Sequence, residues 1–116
     1  MQHSTFNYVR TFRQRSALSE EELAYLINQM SHTAVSYFET GDRVPTLEGV
    51  LALQVIFGIG PRDMFPGYYE RVEDGVMRRA AQLLARLEGK TDQRSEAKRQ
   101  LLEAMPGRSE DNDQGL

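Results

Sequence analysis

Residues 18–41 read LSEEELAYLINQMSHTAVSYFETG. Ser19-Glu20-Glu21-Glu22 has the form of a capping box, in which the Ser19 hydroxyl accepts from the backbone N–H of Glu22 and the Glu22 carboxylate returns the bond. Three acids in one first turn also suit the positive end of a helix dipole. Leu23, Ala24, Leu26 and Ile27 continue at helical spacing until Asn28-Gln29. Asn is the residue besides Gly that best tolerates the left-handed backbone that ends a helix. Ser31 then caps a further helix from about His32 to Thr40, closed by Gly41, with Val35 and Phe38 as its clearly apolar residues. The stretch therefore encodes two short capped helices joined by a tight turn.

Outward from this pair the chain remains helical. Phe6, Val9 and Phe12 recur at helical spacing, so a helix is expected over Phe6 to Arg15. Pro45-Thr46 starts another from Leu47 to Phe57, stopped by Gly58, and Gly60-Pro61 starts a short one through Phe65, stopped by Pro66-Gly67. From Tyr69 the residues Val72, Val76, Ala80, Leu83 and Leu87 step by three or four, which forms a seam broken by Gly89. Thr91 or Asp92 caps a last helix to Met105 with Ala97, Leu101 and Ala104 on one face. Residues 106–116 hold three acids, two Gly and little apolar content, and read as a disordered acidic tail. The expected fold class is all-α, divided into a domain over 6–66, a helical extension over 67–105 that either dimerises or covers the domain's own core, and that tail.

Composition removes whole classes of function. The 116 residues contain no Cys and two His, His3 and His32, so no thiolate nucleophile or Cys-based zinc site exists and little remains for another metal. No apolar run approaches the ~20 residues of a membrane span. The start of the chain has no basic-then-apolar signal, so the expected setting is cytoplasmic. With no Gly-rich phosphate loop and no Ser, His and acid set, an enzyme is not expected, nor any cofactor. The net charge is −3, with five Arg against seven acids in residues 1–66, which argues against a broadly basic, nonspecific nucleic-acid binder.

Five short helices, with the second and third joined by a tight turn, resemble the Cro and phage-repressor (XRE-like) helix-turn-helix family. The resemblance rests on Leu18-Ser19, Glu22-Leu23-Ala24, Ser31, Val35-Ser36, Phe38-Glu39-Thr40-Gly41, Arg43, Pro45, Leu47 and Phe57-Gly58-Ile59, and covers about half the chain. It implies a lambda-repressor-like five-helix domain that binds double-stranded DNA as a dimeric transcriptional regulator, a repressor, with its third helix in the major groove. By position, His32, Thr33, Ala34, Ser36 and Tyr37 would meet base edges; Ser19, Ser31, Arg43 and Arg10 would hold phosphates; and Arg13 and Glu39 would form a structural ion pair.

Several residues depart from that pattern. Asn28-Gln29 stands where the family has Gly, so the turn is one residue longer. Glu20 takes the place of a Gln that donates to a phosphate, and a carboxylate repels one. Tyr25 and Leu26 in the second helix, and Ala52 and Val55 in the fourth, are apolar on faces that are usually charged, which calls for a cover from residues 69–105 or from a second subunit. An alternative function is a protein-interaction module on the same fold, antitoxin-like or an adaptor, with weak or lost DNA binding.

Overall fold

The computed structural model describes the backbone of residues 6–114 and the side chains of residues 6–108. His3 lies outside them. Among the described residues the chain forms seven helices and no strand: α1 (Val9–Arg15), α2 (Glu20–Leu26), α3 (His32–Thr40), α4 (Leu47–Phe57), α5 (Pro61–Met64), α6 (Pro66–Arg86) and α7 (Gln93–Gln114). They divide into two compact units, the first ending at Arg71 and the second starting at Val72. The division falls inside α6 rather than at Pro66, because Phe65 is buried in the core of the first unit and Tyr68 packs against it.

In the first unit, α2 and α3 make the most extensive packing between elements. Leu23 and Val35 are fully buried where they meet, with Val9, Leu53 and Met64 closing the core from α1, α4 and α5. Local chemistry sets each helix boundary. The Ser19 capping box forms as expected, with Glu22 N–H to Ser19 Oγ at 3.0 Å and Ser19 N–H to Glu22 Oε1 at 2.9 Å. Asn28 adopts φ 63°, and the Gln29 N–H reaches back to the Ala24 carbonyl at 2.8 Å, which ends α2 with a left-handed residue. Ala17, also at positive φ (60°), ends α1 in the same way, with Leu18 N–H on the Arg13 carbonyl at 3.1 Å. Gly41 and Gly58 do so for α3 and α4.

Three boundaries differ from the sequence reading. The first helix begins at Val9, not Phe6, because the Asn7 side chain accepts the Val9 N–H (3.1 Å) and the Tyr8 N–H donates to the Met64 carbonyl (2.9 Å). Phe6 instead sets its ring edge-on against Tyr8. The short fifth helix does end before Pro66, with Phe65 as its C-cap, but the next helix starts at Pro66 itself and not at Tyr69, since a missing N–H at a first helical residue costs no intrahelical bond. At the other end, α7 carries Pro106 inside it and runs on to Gln114, so the expected disordered tail is helical over 106–114, without the bond that an N–H at 106 would donate to Leu102. Residues 115 and 116 lie outside the described ones.

The second unit is an antiparallel pair, the 72–86 part of α6 and α7, in which Met77 and Ala80 share a groove with Leu102 and Pro106. Asp92 caps α7, accepting from the Ser95 hydroxyl (2.7 Å) and backbone N–H (3.1 Å). Arg99 turns inward to donate to the carbonyls of Leu87 (3.0 Å) and Lys90 (2.8 Å), which ties the turn to the helix. These bonds set the rotation of α7. Ser95, Arg99, Leu102 and Met105 face inward, while Ala97, Leu101 and Ala104, expected to form the inner face, are exposed. On α6 the expected seam is split: Ala80 and Leu87 are buried, whereas Val72, Val76 and Leu83 stay exposed. The faces for which a cover was expected also divide, since Ala52 packs against the core while Tyr25, Leu26 and Val55 remain exposed.

Candidate nucleic-acid interface

The site begins with the Arg13–Glu39 pair. Arg13 projects from the last turn of α1 and Glu39 from the last turn of α3, and they meet with Arg13 Nε donating to Glu39 Oε2 at 2.5 Å and Nη2 to Oε1 at 3.3 Å. The third donor, Nη1, bonds the Leu18 carbonyl at 2.9 Å, so one guanidinium ties α1, the α1–α2 turn and α3 together. The side chains are 12% and 4% exposed. The hydrogen bond to Glu39 raises the Arg13 pKa above its ordinary value against an opposing desolvation, so the cation stays fixed. A second tether, Asn7 Nδ2 to the Phe38 carbonyl (2.9 Å), holds the C-terminal end of α3 to the chain just before α1.

Above the ion pair lies an open cleft of about 580 Å³ between α1, the start of α2 and the outer side of α3. Arg10 and Ser19 stand on one side of it, His32 and Ser36 on the other, with Arg13 and Glu39 at the base. Glu20, Glu21 and Thr40 complete it. His32 and Thr33 are exposed in the first turn of α3, and Ser36 is half-buried one turn on.

The remaining residues singled out in the sequence fall elsewhere. Ala34 is partly buried and packs against the core. Tyr37 and Arg43 form their own group at the C-terminal side of α3, where the guanidinium lies 4.4 Å from the ring centroid and the Arg43 N–H bonds the Tyr37 carbonyl at 3.2 Å. Ser31 occupies the N-cap position of α3 in an extended conformation, but its side chain makes no capping bond. Thr40 and Asn7 were not foreseen. Thr40 bonds the Tyr37 carbonyl and Asp42, a role no spacing signals, whereas Asn two residues before a helix is a known local cap and could have been read.

The cleft offers mixed chemistry. Hydroxyls at 19 and 36, an imidazole at 32 and the guanidinium of Arg10 suit hydrogen bonding to base edges and phosphates. Glu20 and Glu21 add negative charge beside them. Among the described residues no group of His, Asp and Glu could hold a metal ion, and no helix is long and apolar enough to cross a membrane. The chain matches no protein-family model, no curated protein and no solved structure.

Proposed function

We propose that the first unit is a lambda-repressor-like helix-turn-helix domain and that the protein is a sequence-specific regulator of transcription, acting in the cytoplasm as a dimer on double-stranded DNA and not as an enzyme. In this reading α3 enters the major groove. His32, Thr33 and Ser36 read base edges; Ala34 and Tyr37 add apolar contact; and Ser19, Ser31, Arg10 and Arg43 hold phosphates on either side. The observation that carries it is the cleft itself, where Arg10 and Ser19 stand beside His32 and Ser36 along the open side of a helix clamped by Arg13 and Glu39. That clamp supports the reading for a physical reason: base readout needs a helix held at one angle, and a buried ion pair fixes geometry more surely than it adds stability. Arg43 over Tyr37 supplies a cation already oriented at the far end of the same helix.

The binding mode makes a sharp prediction. On a duplex that the protein enriches from a random pool, Thr33→Ala weakens binding by about 1–3 kcal/mol while leaving affinity for random DNA unchanged. Arg43→Ala weakens both and lowers the slope of log K against log salt by about 1. Equal losses on both DNAs for the Thr33 variant would contradict base reading by α3.

A second reading is favoured by a specific observation: Tyr25 is 83% and Val55 85% exposed, and the cleft contains the carboxylates of Glu20 and Glu21 besides that of Glu39, which pairs with Arg13. On that reading the fold is a protein-interaction module, and the same selection yields no preferred DNA.

A further inference from the structure

Two faces of the chain are apolar, exposed and opposite in charge. The first lies on α2, where Leu18, Glu21, Glu22, Tyr25 and Leu26 line a shallow groove. Leu26 is 49% exposed, and no cation lines the groove. The second lies on the α6–α7 hairpin. Met77, Ala80, Leu84 and Leu87 point toward α7. Stepping about 100° per residue from that line places Val72, Val76, Arg79 and Leu83 roughly a quarter turn to one side. The same count from Ser95, Arg99 and Leu102 places Arg94, Lys98 and Leu101 roughly a quarter turn off on α7, and in an antiparallel pair both offsets point to the same side of the hairpin. This side exposes Val72 (51%), Val76 and Leu83 (40% each) and Leu101 (54%) among three cations, while Asp74 and Glu103 line the groove on the other side.

We propose that a second copy of this chain covers both faces: the cationic apolar side of each hairpin docks on the acidic apolar groove of the partner subunit's α2, and reciprocally. Charge complementarity selects this occupant. DNA phosphates would satisfy Arg79, Arg94 and Lys98 but leave Val72, Leu83 and Leu101 in water. An anionic bilayer would satisfy the hairpin and leave Tyr25 and Leu26 uncovered. A second copy supplies both complements at once, and reciprocal docking closes about a two-fold axis, the commonest symmetry of soluble oligomers. Because the contact is made twice, each need bury only about 800 Å² for the pair to reach the ~1,600 Å² of a standard stable interface. The pairing also sets lysine and arginine against Glu21 and Glu22, which removes negative charge beside the cleft at α3. The inference rests on the two-subunit part of the proposed function and not on DNA binding, so a mass measured without DNA separates the two.

The test uses the full chain in light scattering coupled to gel filtration at about 10 µM, a concentration well above the Kd of a stable dimer. The wild type runs at dimer mass. Glu21→Arg alone and Lys98→Glu alone, both at exposed positions, shift the mass to monomer with far-UV circular dichroism unchanged, and Leu101→Ser does the same without altering charge. An equimolar mixture of the Glu21 and Lys98 variants recovers the dimer, since in the mixed pair the altered α2 meets the altered hairpin and the unaltered α2 the unaltered one. A monomeric wild type, single variants that keep dimer mass, or a mixture that stays monomeric would overturn the proposal. So would a monomeric wild type that binds phosphatidylserine vesicles, which would assign the hairpin to an anionic membrane instead.

Discussion

Arg13 and Glu39 are separated by 26 residues in the chain and joined by two hydrogen bonds in space. Replacing Arg13 by Met leaves a carboxylate that is 4% exposed without its cation, and the expected loss is about 3 kcal/mol in urea unfolding. Replacing both partners by Met costs less than the sum of the single changes, because the second substitution removes the charge that the first one stranded. The two serines at helix starts make the opposite kind of comparison. Ser19 makes both bonds of a capping box and Ser31 makes no capping bond. Ser19→Ala therefore costs about 1 kcal/mol of stability, while Ser31→Ala stays within about 0.5 kcal/mol. If Ser31 meets a phosphate, its substitution lowers DNA affinity with the unfolding midpoint unmoved, and an unchanged affinity would remove it from the proposed contact set.

The helices differ in how legible they were from sequence. α3 and α4 begin and end where Ser31, Gly41, Thr46 and Gly58 mark them, because the Thr46 cap and the two left-handed glycines are local chemistry and Ser31 holds the extended N-cap conformation even without a capping bond. The Arg13–Glu39 pair was legible only through the resemblance, since nothing in the spacing of residues 13 and 39 says that they touch. The inner face of α7 was misread for a related reason. Periodicity favours Ala97, Leu101 and Ala104, yet Arg99 bonds to carbonyls across the turn and rotates the helix, and such a bond to backbone leaves no mark on hydrophobic pattern. The cleft was legible in its polar members on α3 but not in its enclosure, which depends on how α1 and α2 pack. The α7 cap carries its own test. Hydrogen bonds from the Ser95 hydroxyl and backbone N–H hold the Asp92 carboxyl below its ordinary value. The stability it contributes is complete above the unfolded-state value of about 3.9 and is lost as the pH falls through the lowered folded-state value. The protection of the Ser95 and Glu96 amides, their exchange rate relative to an unstructured peptide at the same pH, is therefore full at pH 5 and falls in acid below about pH 4; Asp92→Ala removes that pH dependence of the protection.

At the scale of the whole molecule, charge is the deciding quantity. The first 66 residues carry a net −2 and three consecutive glutamates open α2, two of which line the cleft. Binding to a polyanion must then depend on a few arginines, on helix N-termini and on two subunits acting together. Glu20→Gln removes one of those carboxylates, so DNA affinity rises several-fold at ~0.1 M salt, where the Debye length of about 10 Å still lets a charge in the cleft reach the phosphates. A filter or anisotropy titration reads this directly, and an unchanged affinity would mean that DNA does not approach the α2 start. The claim on which the rest depends is that α3 reads DNA sequence. The measurement that tests it most directly is an unbiased selection from random duplexes at ~0.1 M salt with the full chain. The expected result is enrichment of a two-fold symmetric site with half-site centres about one helical turn, ~34 Å, apart, lost when His32, Thr33 and Ser36 are all changed to Ala. A pool that emerges without any enriched sequence would contradict it.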